Sequence, residues 1–88
     1  MNFRPLYKYR CKDGRIAHIV SPITDIDGRK ECLVTYLSYK HIAVISEDGH
    51  TATIYNLDCP KDVNTMSDKD VIRDDEGDAK IFVEDVKG

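Results

Sequence analysis

Apolar and polar residues alternate along this chain with a period of two, the spacing of a half-buried β-strand. Tyr7, Tyr9 and Cys11 fall on one face of the first run, and Lys8, Arg10 and Lys12 on the other. In the next run Ile16, His18 and Val20 oppose Ala17, Ile19 and Ser21. Residues 31–37 are apolar on both faces and rich in β-formers, which predicts a central strand. Residues 42–46 and 51–57 flank Glu47-Asp48-Gly49-His50 and predict a tight hairpin.

The breaks between runs have one chemistry. Asp13-Gly14, Asp27-Gly28, Asp48-Gly49 and Glu76-Gly77-Asp78 sit between apolar stretches. Glycine accepts the positive φ of a tight hairpin freely, and Asp tolerates it. After Asn56 the chain turns polar, and residues 58–67 read as a surface crossing. Ser67 and Asp70 offer a helix start of the capping-box kind. Val71-Ile72 and Ile81-Phe82-Val83 bracket an acidic turn instead, so a last hairpin is the favoured reading. The whole predicts one all-β domain over residues 1–88. It would be a small antiparallel meander of six to seven strands, closed into an SH3-like or OB-like barrel or roll that hides its edges.

Composition adds bounds. The chain has 88 residues, 41% of them hydrophobic, and no tryptophan. One thin core of Tyr, Phe, Ile, Val and Leu is what that supports. No apolar run approaches the roughly 18 residues that cross a bilayer. The first residues lack the apolar stretch of a secretory signal. Cys11, Cys32 and Cys59 are odd in number and widely spaced, which suits reduced thiols in the cytoplasm better than a disulfide framework.

Net charge is −3 and unevenly spread. Residues 1–57 sum to +2 and residues 58–88 to −5. Overall acidity speaks against bulk double-stranded nucleic acid as a partner. The basic start is the first candidate site. Arg4, Lys8, Arg10, Lys12 and Arg15 are interleaved with aromatic residues, the pattern by which β-folds hold phosphates with cations and bases with rings. Tyr39, Lys40 and His41 form a second polar-aromatic cluster. If folding sets it beside Arg10 and Arg15, a pocket for a phosphorylated small ligand results. The acidic hairpin is the third candidate, with Asp74, Asp75, Glu76 and Asp78 at its tip and Asp68, Asp70, Glu84 and Asp85 around it. Such a surface suits docking on a basic protein.

Catalytic and metal groupings are not expected. His18, His41 and His50 lie in no local signature with a cysteine. The cysteines are 21 and 27 residues apart, far from the short-spaced pairs that structural zinc needs. Asp25-Ile26-Asp27-Gly28 resembles part of a calcium loop, but Val34 stands where that loop needs a glutamate. No Gly-rich phosphate loop exists. The chain therefore reads as a non-catalytic binding protein without a cofactor. Small, acidic, motif-poor chains resemble in style the accessory proteins of phages and mobile elements, which inhibit a host enzyme or sequester a nucleotide. The favoured function is an inhibitor that binds a protein partner. The alternative is a protein that sequesters a nucleotide or other phosphorylated small ligand through the basic strand and the Tyr/Lys/His cluster. Facing basic and acidic segments also allow a homo-oligomer.

Overall fold

A computed structural model describes residues 3–58 and 61–83. It holds seven strands: β1 (Lys8–Cys11), β2 (Ile16–Ile19), β3 (Thr24–Ile26), β4 (Arg29–Tyr36), β5 (Tyr39–Ile45), β6 (Thr51–Tyr55) and β7 (Asp62–Val71). The described residues include no helix long and apolar enough to cross a membrane. All pairings are antiparallel, in the order β2-β1-β7-β6-β5-β4-β3. A further β2–β4 pairing, His18 with Thr35 and Ile19 with Val34, closes six strands into a barrel. Strand β3 lies outside the ring, paired with β4 alone.

The period-two reading carries over to the interior. Tyr9 and Cys11 of β1, Ala17 and Ile19 of β2, and Cys32, Val34 and Tyr36 of β4 all face the core. They meet Ala43 and Ile45 of β5, Ala52 and Ile54 of β6, and Met66 of β7, with Phe3 packed against this set. Cys11 and Cys32 are free and buried, as small hydrophobes would be. Burial pushes each thiol up to about 11, so neither is a thiolate at neutral pH. Cys59 lies outside the described residues.

Turn chemistry matches the sequence where Gly is present. Asp27 and Gly28 both have positive φ, 53° and 81°, and the Asp25 carboxylate accepts the Gly28 N–H at 2.8 Å. The fragment that resembles a calcium loop is thus the two-residue turn between β3 and β4. The β4–β5 turn departs from the rule. Leu37 and Ser38 take φ of 54° and 70° with no glycine present. Such a backbone is costly for a bulky side chain.

One expectation needs correction, and one alternative falls away. Residues 58–67 are not a surface crossing throughout, because β7 starts at Asp62 and is the longest strand. Its polar side chains hid it, since only Met66 is buried within it. No helix starts at Ser67, which pairs with Thr51 in the β6–β7 ladder. The last hairpin does form. Arg73 bridges to Ala79, and Asp74 N–H donates to the Asp78 carbonyl at 2.8 Å. Its returning limb is no strand, however. It is tied by the Tyr7–Ile81 bridge and by Phe82 N–H on the Leu6 carbonyl at 2.8 Å.

Candidate ligand-binding site at the β1–β7 seam

The first and last barrel strands meet irregularly. Tyr9 pairs with Val71 and Cys11 with Met66, so Arg10 alone stands opposite residues 67–70. This excess of β7 residues is a large bulge, and it re-aims side chains. Met66 points inward, and Asp68 is largely enclosed, its side chain only 13% exposed. Lys69 and Asp70 stay exposed.

Beside the bulge lies a cavity of about 280 Å³, lined by Arg4, Tyr7, Tyr9, Asp68, Val71, Arg73 and Ala79. Arg4 comes from the segment before β1, with its guanidinium 5.9 Å from the centre of the Tyr7 ring. Its backbone N–H donates to the Tyr9 hydroxyl at 3.0 Å. Burial raises the Tyr9 phenol, so it remains an O–H group at neutral pH. Arg73 comes from the far end of the chain, and one of its nitrogens donates to the Gly77 carbonyl at 2.9 Å. Asp68 Oδ2 lies 3.1 Å from His50 Nδ1, and the Asp68 N–H donates to the His50 carbonyl at 2.9 Å. Asp68 Oδ1 is buried and has no hydrogen-bond partner among the described residues. A second groove shares Val71 and Arg73 with it and is otherwise lined by Arg10, Lys69, Asp70 and Ile72.

The residues expected to bind a ligand are distributed unequally around these two hollows. Arg4 lines the cavity and Arg10 the groove. Arg10 also donates to the Gly14 carbonyl at 2.8 Å, which steadies the β1–β2 turn. Lys8 lies under the C-terminal limb, its ammonium 4.1 Å from the Phe82 ring centre, with Lys80 5.1 Å from the same ring. Lys12 is exposed beyond β1. Arg15 pairs with Asp13 at 3.4 Å.

Tyr36 stands between the Tyr39-Lys40-His41 cluster and the β1–β2 turn. The Tyr36 hydroxyl donates to Asp13 Oδ2 at 2.9 Å and accepts from Asn64 Nδ2 at 2.9 Å. Asp13 is held below its usual range chiefly by the Arg15 N–H, with Asn64 and Tyr36 adding to the effect. The Tyr36 ring meets His41 edge-on at 5.2 Å, while Tyr39 stacks on His41 at 4.4 Å. His41 is buried, with Nδ1 3.2 Å from the Tyr39 carbonyl. Its ring is therefore enclosed by two tyrosines rather than presented to a base. Tyr39 and Lys40 are exposed at the same end.

The acidic turn is exposed from Asp74 to Asp78. Asp74 is a structural member of it, because its Oδ1 accepts the N–H groups of Glu76 and Asp78 at 2.9 and 3.0 Å. Glu84 and Asp85 lie outside the described residues. No group of three or more His, Cys, Asp or Glu side chains is gathered as a metal site among the described residues.

Sequence reading missed Arg73 and the inward role of Asp68. Met66 and Asp68 share a parity, which was the available signal. It became visible only once residues 62–71 were known to be a strand. Comparison with protein families, curated proteins and solved structures finds no match.

Proposed function

We propose that the chain is a non-catalytic binding protein that takes a small phosphorylated ligand at the β1–β7 seam. The observation that carries this reading is the convergence of Arg4 and Arg73, from opposite ends of the chain, on one cavity with Tyr7 and Tyr9 in its wall. Guanidinium forks suit phosphate oxygens, and a ring beside them suits the organic part of the ligand. At about 280 Å³ the cavity lies just below the usual range for small-molecule sites, which favours a compact phosphate ester. Arg10 and Lys69 extend positive charge along the adjoining groove, where a longer ligand would lie.

Arg4→Ala is the cleanest test. The tie of Arg4 to Tyr9 runs through its backbone N–H, which alanine retains. Calorimetry with inorganic phosphate, ribose 5-phosphate and mononucleotides should show binding to the native chain. The variant should bind about ten- to a hundredfold more weakly, the loss of one charge-assisted contact. Its melting temperature should barely change. Equal affinity in both proteins would remove Arg4 from the site, and no heat from any ligand at millimolar concentration would remove the reading.

A second reading, an inhibitor docking on a protein, is favoured by the exposed acidic turn and by the open edge of β3. Beside that edge runs an apolar hollow formed by Pro22, Ile26, Leu33 and Ile42 among others. Charge reversal for its test belongs at Asp75, Glu76 and Asp78, since Asp74 holds the turn together. With the native chain as bait, a basic partner retained at low salt should be lost in the Asp75→Lys, Glu76→Lys, Asp78→Lys variant. Retention of the same partner by both chains would move the docking surface elsewhere.

A further inference from the structure

From the buried, unpartnered oxygen of Asp68 we infer that the ligand of the seam cavity is a phosphorylated amine, whose ammonium group meets Asp68 while Arg4 and Arg73 take its phosphate. This rests on the phosphate reading above and specifies its ligand.

A carboxylate oxygen removed from water without a donor is unfavourable, and native structures seldom leave one so. Asp68 Oδ1 is in that position, while Oδ2 faces His50. Asp68 is also held in place from the main chain, by its own N–H on the His50 carbonyl. Asp68 stands in the bulge against Arg10 and in the wall of the cavity. Asp68 thus places at the cavity wall a fixed acceptor that no described residue uses.

Charge narrows the ligand further. Arg4, Arg73 and Asp68 together present one net positive charge to the cavity. A phosphomonoester dianion with one ammonium carries one net negative charge, and its two ends match the two ends of the site. A bare phosphate ester would satisfy the arginines and leave Oδ1 without a donor. An amino acid carboxylate would give the two guanidinium groups only a single negative charge to share. The small cavity volume fits a phosphate and an amine separated by a short carbon chain.

The test compares 2-aminoethyl phosphate with ethyl phosphate, which differ in the amine alone, by calorimetry on the native chain. The amine should bind roughly tenfold or more tightly. Asp68→Asn should abolish that preference while keeping the affinity for ethyl phosphate, and Arg73→Ala should weaken both ligands. Circular dichroism and thermal melts check that each variant folds. If Asp68→Asn does not fold, the native-chain comparison decides alone. Equal binding of the two esters by the native chain would overturn the inference and leave the phosphate reading standing, with water on Asp68. A preference that survives Asp68→Asn would overturn it too. Failure of both esters to bind would remove the inference together with the reading beneath it.

Discussion

Replacing Tyr36 with alanine is expected to lower stability by about 3–5 kcal/mol, the usual range for removing a buried aromatic ring. A chain of this length has about 4–13 kcal/mol in all, at about 0.05–0.15 kcal/mol per residue, so the variant would be close to unfolding. The reason is position. Tyr36 ends β4, is 2% exposed, and packs edge-on against His41. Its hydroxyl ties β4 to Asp13 in the β1–β2 turn and to Asn64 in β7. One side chain thus spans three parts of the barrel end. Tyr36→Phe separates the two contributions. It keeps the ring and removes the hydroxyl, at about 0.5–1.5 kcal/mol for each hydrogen bond lost. Urea unfolding of the three proteins measures both. An alanine variant within about 1 kcal/mol of the native chain would contradict the central place given to this ring.

Enlarging Ala43 to leucine is expected to destabilise by about 1–3 kcal/mol, although leucine is the more hydrophobic residue. Ala43 sits at the middle of β5, fully buried, paired with Cys32 on one side and Ile54 on the other. All three point into the barrel. A ring of six strands is narrower than the eight-stranded barrels whose interiors are just filled by side chains. Ala17 and Ala52 are buried in the same interior, which shows how little width is available. Thermal unfolding reads the effect, at roughly 4–8 °C per kcal/mol for a domain of this size. An unchanged or raised melting temperature would mean that the interior holds unused room.

Much of the architecture could be read from the sequence because its signals are local. The alternation of Tyr9 and Cys11 with Lys8 and Arg10, and the Asp-Gly pairs, each act over a few residues. Strand β7 escaped for the opposite reason. Its ladder to β6 is formed by polar residues such as Thr65 and Ser67, which look like a loop until their partners are known. His18 shows the same limit. It lies on the outward parity of β2, yet it is buried, with Nε2 3.3 Å from the Phe82 carbonyl of the distant C-terminal limb. The candidate site was half legible. Arg4 and Arg10 stood out as part of a basic run, but Arg73 and Asp68 join them only through the bulge in β7. A register shift between the two ends of a chain leaves no short-range trace.

Joining the first strand to the last also fixes an order of events. As the chain leaves the ribosome, β1 can pair with β2, and β4 with β5 and then β6. The ring stays open until residues 62–71 have been made, and both β1 and β6 remain unsatisfied edges while it waits. Contacts between such distant segments are also the slow ones to form. The cavity, which needs both Arg4 and Arg73, is therefore complete only after nearly all of the chain exists. A nascent chain that stops before β7 would lack the closed barrel, and one that stops before Arg73 would lack the wall of the cavity.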